Sequence, residues 1–243
     1  MSMPDPSERP IVFLDFDGTI SRADVVDAIL ERYALDGWQQ LEEAWQAGRL
    51  GSRECLRGQM ALVRATPGEL DELIDGIAID TGVVRVLDVC RRHGIAVHVI
   101  SDGFDVCIHR MLARLAHGGR GLPGDVSICS SRLHLIALNQ WRATFPFHAD
   151  GCVHGCATCK PSVMNALNPL GGPSVFVGDG LSDRYACEAA DVVFARDRLR
   201  TYCEERSLPH IPYDGLAEVA SFLEEGMRLD RRWRQPAAAQ ASA

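Results

Sequence analysis

Ile11-Val-Phe-Leu-Asp15-Phe-Asp17-Gly-Thr19 is the stretch that decides the fold. Four apolar residues follow Pro10 and stop at an acid, the pattern of a short strand buried on both faces of a parallel sheet. Two carboxylates one residue apart at a strand end can face one pocket if the chain leaves strand geometry after Asp15, and Gly18 permits that break. A turn that merely caps the strand is the plainer explanation of such a pair, so the residues downstream carry the argument.

Working outward, residues 24–34 show helical spacing, with Asp24 placed as an N-cap. From 36 to about 80, apolar positions at helical period are broken by glycines and show no strand-like alternation, which predicts a small helical cap inserted over 22–81. A helix from 82 stops at Gly94. Residues 95–100 predict a second buried strand that halts at Ser101-Asp102-Gly103, followed by a helix over 104–116 and a glycine-rich loop over 118–124. Residues 126–130 and 133–138 read as a strand pair, 139–159 as irregular, and Pro161 suits the first turn of a helix to 167. A strand over 175–177 ends in Gly178-Asp179-Gly180. A helix over 182–190, a strand over 191–195 and helices over 197–206 and 215–227 complete the alternation. The expected fold class is α/β: a doubly wound parallel-sheet (Rossmann-like) core over 10–21 and 82–227, with the helical cap inserted. The tail over 228–243 has no packing face and reads as partly disordered. Such sheets bind ligands beyond the carboxyl ends of their strands, which is where Asp15/Asp17, Ser101 and Asp179/Asp183 fall.

Composition narrows the chemistry. A net charge of −8 over 243 residues argues against a nucleic-acid partner, and no apolar run is long enough for a membrane span. The first ten residues lack the basic and apolar segments of a signal peptide, and nine scattered cysteines fit a reducing cytoplasm better than a disulfide framework. Nothing in the sequence specifies an oligomer. Of the 25 basic residues only Lys160 is a lysine, which suggests a position that needs a compact ammonium rather than a planar guanidinium; chance retention at a helix start is the alternative.

With Asp15-Phe-Asp17-Gly-Thr19, Ser101, Lys160 and Asp179 with Asp183 in this order, the chain resembles the phosphatases of the haloacid-dehalogenase superfamily over about residues 10–225. The resemblance implies that Asp15 attacks phosphorus and carries an aspartyl-phosphate, while Asp17 acts as general acid and then base. It implies that Ser101 holds phosphoryl oxygens and that Lys160 neutralises charge on Asp15 and phosphate. Mg2+ is then expected on Asp15, the carbonyl of Asp17 and Asp179, with Asp183 orienting from behind. By the same resemblance, the acid at position 17 favours a phosphatase or a phosphomutase over a dehalogenase, and the absence of lysine between 22 and 85 argues against a phosphonatase.

The segments Cys156-Ala-Thr-Cys-Lys-Pro-Ser-Val163, Phe194-Ala-Arg-Asp-Arg-Leu199 and Leu208-Pro-His-Ile-Pro-Tyr213 resemble the subgroup that holds the methionine-salvage phosphatase for 2-hydroxy-3-keto-5-methylthiopentenyl-1-phosphate. The phosphoethanolamine/phosphocholine phosphatase is a more distant relative. The implied partner is a small phosphorylated metabolite; phosphoethanolamine/phosphocholine or phosphoserine-type activity is the alternative. A non-catalytic metal-binding interaction module is the rival of another class. Ser21, Arg22 and Asp24, with Phe104 and Asp105, are the candidate specificity residues by position. Cys152, Cys156 and Cys159, with His148 or His154, have a spacing that allows a structural Zn2+ ahead of Lys160; three reduced thiols packed in a tight loop are the alternative.

Overall fold

The computed structural model describes residues 9–116 and 126–228. The expected loop over 118–124, most of the tail, and the first eight residues lie outside the described residues. Among the described residues one sheet runs in the order β4-β3-β2-β1-β5-β6-β7. Its strands are β1 (Ile11–Leu14), β2 (Val97–Phe104), β3 (Ser127–Ala137), β4 (Gln140–Thr144), β5 (Ser174–Gly178), β6 (Val192–Ala195) and β7 (Ile211–Pro212). All neighbours pair in parallel except the β3–β4 hairpin.

β1 sits at the centre, and Val12, Phe13 and Leu14 have no solvent exposure. Side chains alternate across the pleat. Val12 and Leu14 join Val97, Val99, Val175 and Val177 on one face, under α5 (Gly82–His93) and α10 (Leu216–Arg228). Phe13 joins Ile100, Phe176 and Val193 on the other, under α7 (Lys160–Leu167), α8 (Arg184–Ala189) and α9 (Asp197–Glu205). Each such side chain stabilises the fold by about 2 kcal/mol through burial, so the short central strand is anchored by both layers.

Between β1 and α5 run α1 (Val25–Tyr33), α2 (Trp38–Gln46), α3 (Ser52–Leu62) and α4 (Pro67–Gly76). Asp24 caps α1 by accepting from the Asp27 amide, and Thr66 and Glu69 cap α4 reciprocally behind Pro67. The chain enters and leaves this helical insertion through two segments that lie side by side: the Arg22 amide donates to the Ala78 carbonyl at 2.9 Å and the Asp80 amide to Ile20 at 2.8 Å. The insertion docks on the hairpin, where Trp141 Nε1 donates to the Ala65 carbonyl at 2.8 Å. Among the described residues no helix is long and apolar enough to cross a membrane.

The structure corrects four readings of the sequence. β2 starts at Val97 and continues through Phe104, with a register shift between Ser101 and Phe104 that marks a bulge rather than a strand end. The two segments expected over 126–138 are one long strand, β3, whose hairpin partner β4 lies in sequence read as irregular. The short edge strand β7 gave no local signal. The helix expected from 182 opens with a 3-10 turn, Leu181–Asp183. In each case pairing to a neighbouring strand, or a polar side chain bonded to backbone, overrides local propensity.

Candidate active site

Parallel pairing carries β1 one residue further, the Asp15 amide donating to the Val177 carbonyl at 2.9 Å. The chain then turns through Gly18 at φ +70°, a conformation open to glycine. Space demands glycine as well, because a Cβ at Gly18 would lie 2.1 Å from Asp179 Oδ2. The turn brings Thr19 over the end of the paired strand β5, and Thr19 Oγ1 donates to Asp179 Oδ1 at 2.9 Å.

Lys160 opens α7 and is 1% exposed. A cation at a helix N-terminus opposes the helix dipole, so carboxylates must hold it there. Its Nζ donates to Asp15 Oδ1 at 2.6 Å and also to Asp183 Oδ1. Desolvation works against the ammonium, but the attraction of Asp15, Asp183 and Asp102 outweighs it and raises the pKa above the ordinary lysine range. Asp183 is wholly buried and its other oxygen accepts from the amides of Asp179 (3.0 Å) and Gly180 (3.1 Å), so both its oxygens are engaged. Asp15, 4% exposed, has only Oδ1 engaged among the described residues. Its Oδ2 is left for a ligand.

Asp17 Oδ1 accepts from the Val25 amide at 3.0 Å, which ties the acid to the start of α1. Ser101 Oγ donates to Asp17 Oδ2 at 3.4 Å and accepts from the Gly103 amide at 2.9 Å within the β2 bulge. Burial, then the negative charge of Asp24, lifts the Asp17 carboxyl well above the usual range. Burial and the repulsion of Asp183 push Asp179 up to about 7. Asp15, Asp179 and Asp183 each offer an oxygen within 4.8 Å of the others, the one such group of metal-ligating type among the described residues. Hard carboxylate donors, with one Asp15 oxygen not engaged by any described residue, suit Mg2+.

These residues floor a cavity of about 250 Å3, lined by Asp15, Asp17, Ser101 and Asp179 below and by the helical insertion above. Of the candidate specificity residues, Asp24 lines it. Ser21 is buried and braces the turn, with Oγ donating to the Phe16 carbonyl (3.1 Å) and the Ala23 carbonyl (2.7 Å). Arg22 pairs with Asp80 at 3.2 Å, Phe104 lies in the core, and Asp105 Oδ1 accepts from the Val106 and Leu133 amides. The cavity wall instead holds Asp27, Glu42, Trp45, Gln59 and Arg198, which the sequence reading did not single out. The available signal was the i, i+3 spacing of Asp24/Asp27 and of Glu42/Trp45.

The expected zinc tetrad does not form. His148 Nδ1 meets the Phe145 carbonyl at 2.6 Å and Nε2 lies 3.2 Å from Asp150, while His154 stacks on Tyr185. Cys152, Cys156 and Cys159 are free thiols and, among the described residues, gather no set of metal-ligating atoms with either histidine. Hydrogen bonds fix this loop instead: Gly155 accepts from the Arg53 amide at 3.0 Å, the Ala157 amide donates to Ser52 Oγ at 2.9 Å, and Thr158 Oγ1 donates to the Ser101 carbonyl at 2.8 Å. Loop, insertion and cavity floor are thus joined.

A buried acid with a free oxygen, a lysine gripped by two carboxylates and an acidic rim at the carboxyl end of a parallel sheet define a phosphoryl-transfer type of site. The family of haloacid dehalogenase-like hydrolases matches residues 12–188, and the chain belongs to that family, as a hydrolase of its phosphatase branch. The 2-hydroxy-3-keto-5-methylthiopentenyl-1-phosphate phosphatase of Geobacillus thermodenitrificans is 30% identical over 220 residues, 88% of this chain and 95% of the relative. The enzyme of the same name from Bacillus velezensis is 26% identical over 90% of this chain and 91% of its own. A substrate-bound phosphoserine phosphatase shares the fold with a TM-score of 0.65 at 17% identity, over 90% of this chain and 99% of that one.

Proposed function

We propose that this protein is a Mg2+-dependent phosphomonoester hydrolase that works through an aspartyl-phosphate on Asp15. The observation that carries the reading is the state of Asp15: one oxygen is held by Lys160, and the other, unengaged by any described residue, belongs to the floor of the cavity. Mg2+ would be held by the Asp15 and Asp179 carboxylates and the Asp17 carbonyl, and when bound it offsets the charge of phosphate and nucleophile. Asp15 Oδ2 attacks phosphorus, forming a P–O bond while the ester P–O bond breaks. Burial and the charge of Asp183 raise the Asp15 carboxyl; Lys160 opposes that rise, which favours the ionised nucleophile, and reduces its repulsion of the phosphate. Asp17, held protonated by desolvation, gives its proton to the leaving oxygen. In the second half it takes a proton from water, which attacks phosphorus and releases Asp15. Ser101 supplies a hydroxyl donor to the phosphoryl oxygens. Asp183 is a positioning residue that fixes Lys160.

The insertion over 22–81 serves as a cap that excludes water and gates release. All nine cysteines are free thiols, which suits a cytoplasmic enzyme. By relationship the first substrate to test is the one in the relatives' name, 2-hydroxy-3-keto-5-methylthiopentenyl-1-phosphate. The decisive experiment is turnover of p-nitrophenyl phosphate with magnesium, with the phosphorylated chain detected by intact mass after acid quench. Asp15→Asn abolishes both signals; full activity in that variant refutes the nucleophile.

A further inference from the structure

We infer that Ser52 is a positioning residue: from the insertion it holds the segment that carries Lys160, so that Lys160 is fully in place only while Gly51 is seated against Gly155. The inference rests on the reading of Asp15 as nucleophile and Lys160 as its cation, and adds how the insertion acts on that pair.

The three residues ahead of Lys160 are tied by their amides to three different places. The Cys159 amide donates to the Phe147 carbonyl at 2.9 Å. The Thr158 amide donates to Asp102 Oδ1 at 2.8 Å and its hydroxyl to the Ser101 carbonyl, which fixes this residue to the β2 bulge. The Ala157 amide reaches the insertion, donating to Ser52 Oγ at 2.9 Å. Ala157 and Thr158 are buried, and a buried amide that loses its partner is costly, so the segment must shift to satisfy it. Lifting the insertion therefore acts on the Lys160 segment through Ser52. Ser52 and Asp102 also line the cavity, which makes direct contact with substrate the rival role for Ser52.

The seat beside Ser52 is built for close approach. α3 has no side-chain cap; its Arg53 amide instead donates to the Gly155 carbonyl at 3.0 Å, so a loop of the core completes a helix of the insertion. A Cβ at Gly51 would lie 2.4 Å from the Gly155 carbonyl oxygen and 2.7 Å from its Cα, backbone atoms that no side-chain rotation moves aside. Yet Gly51 has φ −78° and ψ 157°, a conformation open to any residue. Glycine is thus required at position 51 by the contact and not by the turn.

The test measures kcat and KM on p-nitrophenyl phosphate with magnesium for Ser52→Ala and Gly51→Ala, each alone and combined with Lys160→Arg. Ser52→Ala removes the acceptor of the Ala157 amide. Gly51→Ala leaves Ser52 in place and wedges the seat open, without backbone strain of its own. Each is expected to lower kcat about 10-fold, the scale of one stranded amide, and to move KM less than about threefold. In the Lys160→Arg background each is expected to lower kcat less than about twofold, because the group they act through is already displaced. An unchanged kcat in either variant overturns the inference. So does a rise in KM alone, which would make Ser52 a substrate contact, or an undiminished loss in the Lys160→Arg background. Those outcomes with wild-type turnover intact sink this inference alone, while no turnover of any ester by the wild type sinks the phosphatase reading with it.

Discussion

Lys160 Nζ lies 2.6 Å from Asp15 Oδ1, a contact across 145 residues of chain between two groups almost wholly removed from solvent. Neither charge is tolerable there alone. Asp183 accepts a second N–H of the ammonium and so shares the charge with Asp15.

Lys160→Arg is expected to lower kcat about 100-fold or more, because a planar fork does not fit the point where two carboxylates converge on one nitrogen. Lys160→Met leaves two buried carboxylates facing each other and is expected to cost about 3–5 kcal/mol in urea unfolding. A normal rate in the arginine variant removes Lys160 from the mechanism.

Asp17 should show its role through the leaving group. Asp17→Asn is expected to slow hydrolysis of an alkyl phosphate about 10–1,000-fold more than that of p-nitrophenyl phosphate, whose leaving group scarcely needs a proton. Because its folded pKa is raised, the acid form persists above the ordinary carboxylate range and is lost as pH rises through the raised value. Hence kcat on alkyl esters should fall on the alkaline side, and that limb should be missing in Asp17→Asn. Equal losses on both ester types contradict the assignment.

Stability without magnesium should fall as pH rises. Asp179 titrates near 7 in the fold against an ordinary 3.8, so between those values the folded state holds a proton that the unfolded chain has released. Stability is therefore lost across that window and levels off above it. In EDTA the Tm is expected to be lower at pH 8 than at pH 5.5, and magnesium should raise it more at pH 8, where no proton competes for the carboxylates. A Tm in EDTA that is as high at pH 8 as at pH 5.5 would rule this out.

Asp80 anchors the root of the insertion. It is 3% exposed, accepts from the Gly82 amide at 2.8 Å and the Leu216 amide at 3.0 Å, and pairs with Arg22 at 3.2 Å. Asp80→Ala strands two buried amides and is expected to cost about 2–4 kcal/mol in chemical denaturation. Arg22→Ala, at a half-exposed pair, is expected to cost less than about 1 kcal/mol. Equal costs would mean that the ion pair rather than the amide bonds carries the anchor.

The sequence by itself determined the central strand and the alternation of strand and helix, because each is written locally; the residues of the floor were legible only as short motifs in order, and their convergence is tertiary. Ile11–Leu14 must be buried on both faces, Gly18 must turn, and the lone lysine stands where a helix opens. Tertiary structure alone decided the wall of the cavity and the fate of the side candidates. Arg22 was drawn to Asp80, Asp105 to the β3 backbone and His148 to Phe145 and Asp150, partners that no spacing reveals. Likewise Asp27, Glu42 and Gln59 meet across helices joined by glycine-broken turns, and what faces the nucleophile depends on how those helices pack rather than on their period.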